Sequence, residues 1–329
     1  IQLSMPLYSA QLNSAVDNSK IASELTELQY QRTAEQVIYD ISNLYYNAQI
    51  LHHQLSFIDS NLVNTKKLQK NISLLHEQLM AKSSDVSKVD LQLEQLNTQK
   101  ETVRSRYVQV LNTLKFLMGL PQESSISIDP AIKYQVKQEY ASLSSLDMRQ
   151  ARIQNRLISA ELNTIKYSRL PTLSLFGSQG TTGLGYDKSP GQFLKFFPVG
   201  FAGIQLSYPL FQGTVTKHKI NQKKYELKNN ELQISLLSEQ NIMQVDNAKM
   251  LRQVAQKSTE TILLQMRLAQ SIYNQNIIQQ KEGTASLTDV LLADAVLRES
   301  QQSYLNSVVD YLKADLDYKK LTGNISLIK

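Results

Sequence analysis

Cysteine and tryptophan are absent from the 329 residues, and glycine and proline are scarce, at 11 and 7. A chain without cysteine has no disulfide and no thiolate metal site, and a large fold in the cell envelope needs neither. So little glycine and proline leaves little of the chain for loops. No window approaches the ~20 consecutive apolar residues of a membrane helix. There is no basic run of the kind that grips nucleic acid: 35 Lys and Arg are interspersed with 29 Asp and Glu, for a formal charge of +6. No nucleic-acid partner is expected. A leader segment is also missing, and the chain opens at Ile1 inside a strand-like pattern. That opening points to a mature or truncated fragment.

What is present is written twice. At a constant offset of 204 positions, Asp85 falls on Asp289, Val86 on Val290, Asp90 on Asp294, Leu93 on Leu297, Tyr107 on Tyr311, Leu117 on Leu321 and Gly119 on Gly323. No gap is needed between Asp85 and Gly119. A second echo lies upstream, Ile1-Gln2-Leu3-Ser4-Met5-Pro6-Leu7-Tyr8 against Ile204-Gln205-Leu206-Ser207-Tyr208-Pro209-Leu210-Phe211. Two echoes in the same order make the chain a duplicated unit.

Along the chain, Ile1, Leu3, Met5 and Leu7 alternate with Gln2 and Ser4, which predicts a strand ending at Pro6. From about Ala10 the period becomes helical for some seventy residues, through Ile21, Leu25, Leu28, Val37, Ile41, Leu44, Ala48, Leu51, Leu55, Ile58, Leu62, Ile72, Leu75 and Leu79. Steps of three and four make a coiled-coil seam, and seventy residues reach about 100 Å. A break is expected at Ala81-Lys82-Ser83-Ser84, with Ser84 or Asp85 as the N-cap of a second helix from about Val86 to Met118. Gly119 and Pro121 end that helix.

A connector with a short strand or helix is expected over 120–143, and Ser144-Ser145-Leu146-Asp147 has capping-box spacing for a helix that stops before Pro171. Strands follow over Thr172–Gly177 and about Val199–Phe211, joined by a glycine-rich loop with Gly180, Gly183, Gly185, Gly191, Tyr186, Phe193, Phe196 and Phe197. The second long helix runs from Gly213 to about Gln280, and the final one from about Asp289 to Gly323. Because Asn47-Ala48 matches Asn247-Ala248 at an offset of 200, the second long helix is expected to carry about four more residues than the first.

The domain organisation is therefore a strand at 1–9, a helical hairpin at 10–119, a connector at 120–143, a helix at 144–170, a β-hairpin at 171–211 with its loop at 178–197, a second helical hairpin at 212–323 and a tail at 324–329. The fold class is mainly α with a small β part. Three strands with one apolar and one polar face are too few for a soluble sandwich. Closed into a barrel with copies from other chains, they would face lipid outside and water inside, with Phe193, Phe196, Phe197 and Phe201 in the interfacial belt. The alternative is a soluble coiled-coil scaffold or tether without a pore.

These features resemble the outer membrane factor family, the TolC-like channel-tunnels of efflux pumps and type I secretion systems. The resemblance rests on the duplication and on three motifs in order: Arg149…Leu170-Pro171 before a strand, the turn Gly283-x-x-Ser286-x-x-Asp289-Val290-x-x-Ala293, and the tail Tyr311-x6-Tyr318-x-x-Leu321-x-Gly323. It covers essentially the whole chain. It implies a homotrimer whose strands share one outer-membrane β-barrel, continuous with an α-barrel of long antiparallel helical hairpins across the periplasm. The family supplies four strands per subunit where three are read here, so a fourth is expected upstream of Ile1. The implied activity is a passive exit duct, not an enzyme, with no cofactor. Its partners would be outer-membrane lipid, a periplasmic adaptor (membrane fusion) protein docked at the helical tips and, through it, an inner-membrane pump.

Carried over, the tips are Ser83, Ser84, Asp85 and Val86 in the first repeat and Gly283, Thr284, Ser286, Asp289 and Val290 in the second. Asp85 and Asp289 would also cap helices. Asp289, with Asp85, is the expected pore constriction, a ring of carboxylates that would bind cations. The family's gate has an Arg after the Gly-Thr and a second Asp three residues beyond the first; this chain departs from it with Ala285 and Leu292. No catalytic or metal residues are expected: the four His are His52, His53, His76 and His218, and the adjacent pair points about 100° apart on a helix.

Overall fold

The computed structural model describes residues 1–132, 140, 145–184 and 195–325. In chain order its elements are β1 (Gln2–Tyr8), α1 (Ala10–Glu77), α2 (Ser83–Leu117), α3 (Leu146–Tyr167), β2 (Thr172–Leu184), β3 (Lys195–Ser207), α4 (Val215–Lys281) and α5 (Leu287–Leu321). The expected Ser144 cap, Gly185, Tyr186, Gly191 and Phe193 of the loop, most of the connector beyond 132, and tail residues 326–329 lie outside the described residues. The chain divides into two units: Ile1–Arg32 with Leu146–Glu239, and Thr33–Ser145 with Gln240–Lys329.

The first unit contains the sheet, in the order β1-β2-β3 with both pairs antiparallel. Pairing places Leu3 beside Gly177 and Ala202, and Met5 beside Leu175 and Ile204, so one face is apolar. Ser4, Pro6, Ser174, Gln205 and Ser207 lie on the other, where Phe176 and Phe201 meet edge to face at 6.0 Å. Along β1 every residue is exposed, and Leu3, Met5, Leu175, Ile204 and Leu206 are exposed on the apolar side.

The strand limits differ from expectation in three ways. Pro6 does not end β1; it pairs with Ser174, and the register slips between Pro6 and Tyr8. A proline lacks only a donor, which an edge strand with a bulge tolerates. β2 and β3 stay in register from Thr172↔Ser207 to Leu184↔Lys195, so the described residues of the loop expected at 178–197, namely 178–184 and 195–197, are strand. β3 ends at Ser207, two residues before Pro209, not at Phe211.

In the same unit α3 is held to the start of α1 and of α4 by polar side chains. Ser14 and Thr164 hydroxyls are 2.7 Å apart, Arg156 meets Glu24 at 2.9 Å, Arg32 meets Asp147 at 3.0 Å and Lys223 meets Glu161 at 2.7 Å. Asn155 Nδ2 donates to Asn230 Oδ1 at 3.0 Å. Ile158 and Leu162 give α3 a narrow apolar stripe beneath these contacts.

The second unit packs α1, α2, α4 and α5 through seam positions. α5 is its most buried helix: Val290, Leu297, Leu305, Val308 and Leu312 follow steps of seven, eight, three and four. Each such side chain contributes about 2 kcal/mol by leaving water. Amides cross the seam beside them, with Asn61 donating to Gln301 at 2.9 Å and Gln54 to Gln302 at 2.7 Å. The described connector residues 120–132 form neither strand nor helix. Instead Ile128 packs with Ala48 and Leu114, while Gln49 donates to the Asp129 carbonyl at 2.8 Å. Asp315 accepts the Tyr140 hydroxyl at 2.9 Å and pairs with Arg252 at 2.8 Å, tying residue 140 to α4 and α5.

The expected four-residue excess in the second long helix is not found: α1 has 68 residues and α4 has 67. The offset is 203 at the strand echo, 200 at Ala48 and 204 at Asp85, so three residues lost and four gained nearly cancel.

Candidate functional site

Helices α1 and α4 both stop at a turn whose geometry the backbone dictates. The last carbonyls of a helix need donors, and a residue in the left-handed region lets the next two N–H groups fold back onto them. At the second turn Gly283 has φ 75°, its N–H reaches the Gln280 carbonyl at 3.2 Å, and Thr284 N–H reaches the Gln279 carbonyl at 2.9 Å. The Thr284 hydroxyl donates to the same Gln279 carbonyl at 3.1 Å.

Ser286 then caps α5 with a complete capping box. Asp289 N–H donates to Ser286 Oγ at 3.2 Å, while Asp289 Oδ2 accepts from Ser286 N–H at 2.9 Å and from its hydroxyl at 2.7 Å. Those two donors, the hydroxyl first, hold the Asp289 carboxyl below the usual carboxylate range.

The first turn has the same shape and a different cap. Leu79 takes the left-handed position at φ 61°. His76 Nδ1 lies 2.9 Å from the Ala81 carbonyl. α2 starts at Ser83, so its N-cap is Lys82, which makes no side-chain cap hydrogen bond. The expected cap at Ser84 or Asp85 is thereby corrected: the turn closes three residues earlier, and Asp85 falls in the first helical turn. There it pairs with Lys88 at 3.0 Å, a contact that, together with the helix N-terminus, favours the charged form. The hydrogen bond from Lys88 is the main cause holding the Asp85 carboxyl below its usual range.

Beneath the turns the two hairpins share one core of Leu68 and Ile72 from α1, Val89 from α2, Ala269 and Tyr273 from α4, and Val290, Ala293 and Leu297 from α5. Of the expected tip residues, Ser83, Ser84, Gly283, Thr284, Ser286 and Asp289 are exposed, and Asp85 and Val86 are half-buried. Val290, with no exposed surface, packs in the core and holds the turn up.

Four residues, Asp294, Gln92, Arg298 and Tyr273, are outside the expected sites. Asp294 is 2% exposed, accepts from Gln92 of α2 and has Arg298 Nε 2.8 Å away. That nitrogen is off the hydrogen-bonding line, so the contact is an ion pair alone. Burial raises the Asp294 carboxyl above its usual range, with Arg298 and Gln92 opposing. The same burial, helped by the nearby Asp294 charge, pushes the Tyr273 hydroxyl up to about 12. The signal was in the sequence: Asp294 stands in the seam, four residues after Val290 and three before Leu297.

Residues 139–324 match a family model described as outer membrane efflux protein. Outer membrane protein TolC of Salmonella enteritidis is 20% identical over 340 residues, spanning 99% of this chain and 69% of that protein. Among solved structures, the open state of the Neisseria gonorrhoeae MtrE outer membrane channel superposes with a TM-score of 0.80 at 16% identity, covering 98% of this chain and 74% of that one. The outer membrane protein VceC of Vibrio cholerae gives 0.78 at 15%, covering 98% and 78%. The Campylobacter jejuni CmeC outer membrane channel gives 0.76 at 16%, covering 98% and 70%.

Proposed function

Since the chain belongs to the outer membrane efflux protein family, whose members are outer-membrane channels and not enzymes, we propose that it is the passive exit duct of a tripartite efflux pump or type I secretion system. Three copies close their strands into one barrel in the outer membrane and extend a barrel of helices into the periplasm. The observation that carries this reading is the sheet. Its apolar face, with Leu3, Met5, Leu175, Ile204 and Leu206, is uncovered in the single chain, while its opposite face carries Ser4, Ser174, Gln205 and Ser207. A barrel wall with lipid on one side and water on the other needs that division. A soluble tether would leave the apolar face in water.

Energy for transport comes from an inner-membrane pump reached through a periplasmic adaptor. The adaptor docks at the turns, on the surface of Ser83, Ser84, Asp85, Gly283, Thr284, Ser286 and Asp289, with Val86 and Val290 as support. Deleting the gene is expected to sensitise cells to exported compounds without changing their synthesis, read as minimum inhibitory concentration and intracellular level. Unchanged export in the deletion strain would sink the duct.

Asp289 from three copies would form a ring of ionised carboxylates at the constriction, because its carboxyl is held below the usual range. Asp289→Asn keeps an oxygen for the Ser286 N–H and removes the charge. Single-channel conductance is expected to lose its cation preference and its block by divalent cations. Identical selectivity in the variant would remove Asp289 from the pore.

A further inference from the structure

The turns after α1 and α4 are one turn built from different residues. At the offset of 204, Leu75, His76, Leu79, Met80 and Lys82 fall on Gln279, Gln280, Gly283, Thr284 and Ser286. Their backbone bonds correspond: Met80 N–H to the Leu75 carbonyl at 2.8 Å matches Thr284 to Gln279, and Leu79 N–H to the His76 carbonyl at 2.9 Å matches Gly283 to Gln280. Among the described residues with positive φ, Leu79 is the one that is not glycine. A Cβ in that region meets the neighbouring carbonyl, so the turn is strained where its duplicate is relaxed.

The backbone bonds hold the turn, but among the described residues no side chain covers Leu79 or Met80. Leu79 is 92% exposed and Met80 is 74% exposed, at the places where the second turn carries Gly283 and Thr284. Backbone strain of this kind clusters at functional sites, and two bare apolar side chains on the crest of a strained turn are a contact without a partner within the described chain.

Resting on the docking reading above, we infer that Leu79 and Met80 are an apolar plug that seats in an apolar socket at the turn of the adaptor's helical hairpin, and that this plug sets which adaptor is accepted. The position of the pair selects the occupant. A second copy packed alongside covers the flanks of helices, whereas Leu79 and Met80 lie past the last turn of α1 and before the first turn of α2, where only a partner arriving end-on reaches them. Charge selects it too. From Glu77 to Lys88 the side chains are balanced, Lys82 and Lys88 against Glu77 and Asp85, with Asp85 already paired to Lys88. An anionic membrane surface draws clustered Lys and Arg, and this crest offers no excess of them. A neutral apolar socket fits it.

The test uses the full chain in its own cells, with photoreactive benzoylphenylalanine at position 79 or, separately, at 284. The expected product at 79 is a cross-link to a peptide from the hairpin turn of an adaptor. In parallel, Leu79→Asn with Met80→Thr, both tolerated by the turn, is expected to lower export about tenfold or more, as loss of a central apolar contact does. The melting temperature of the purified assembly is expected not to fall. Leu79→Gly is expected to raise that temperature and still to lower export, which separates the side chain from the strain. A cross-link from 79 to another copy, to lipid or to nothing, while 284 captures the adaptor, overturns the plug and spares docking. Wild-type export by the double variant overturns it equally. Failure of both positions to capture an adaptor overturns the docking reading, and the plug with it.

Discussion

A chain carrying Met250→Glu and Leu264→Glu folds its helices and does not assemble. Both side chains lie on α4 in a stripe with Met243, Val254 and Leu268, and each of the five is more than half exposed in the single chain. A glutamate there meets water in the monomer and costs its fold nothing. In the proposed trimer the same position becomes an apolar interface repeated three times, and burying an unpaired carboxylate there costs about 2 kcal/mol or more at each. With two such positions the assembled fraction is expected to fall by a factor of about a hundred or more. Size-exclusion chromatography in detergent is expected to show a monomer with undiminished helical circular dichroism. A trimer peak from the double variant would mean that this stripe faces solvent in the assembly.

Replacing Arg298 with methionine is expected to destabilise the assembly by about 3 kcal/mol at pH 7, because it leaves the buried Asp294 charge without its ion-pair partner. The effect depends on pH in a stated direction. Asp294 is already raised above its usual range in the folded state, so folding favours the protonated form and stability falls as pH rises through the folded value. Without Arg298 that value moves higher, so the deficit opens at a lower proton concentration than acidic conditions supply and closes on acidification. The groups around it are Gln92 from α2, Tyr273 from α4 and Arg298 on its own helix. Melting at pH 5 is expected to regain most of the loss seen at pH 7. Adding Asp294→Asn to Arg298→Met is expected to restore stability at both values. A pH-independent deficit would assign the loss to the packing of the Arg298 stem.

The long helices were legible because their signal is redundant. A seam in steps of three and four over seventy residues, and a following helix repeated at an offset of 204, leave no strand reading for Val290 or Leu297. Strand faces were legible from parity alone, as the pairing of Met5, Leu175 and Ile204 bears out. Strand ends were not, since Pro6 reads as a stop unless its strand is known to be an edge, and glycines read as loop where the register runs on to Leu184. The start of α2 was misplaced because nothing marks Leu79 as a left-handed residue except the glycine that its duplicate carries. Asp294 enters the sequence reading only as the duplicate of Asp90, although its spacing in the seam places it among buried positions. The turns themselves were found, and which of their side chains are presented or buried depended on packing that no spacing encodes.

Beside the ion pairs, a set of amides and hydroxyls crosses the seams: Asn61 to Gln301, Gln54 to Gln302, Asn155 to Asn230, Ser14 to Thr164. Such groups neither titrate nor attract counterions, so dilution, brine or mild acid alters them little, whereas exposed ion pairs weaken as salt screens them. Wherever the bathing fluid takes on the composition of the surroundings, these uncharged stitches keep their alignment while the ion pairs beside them weaken or strengthen with it.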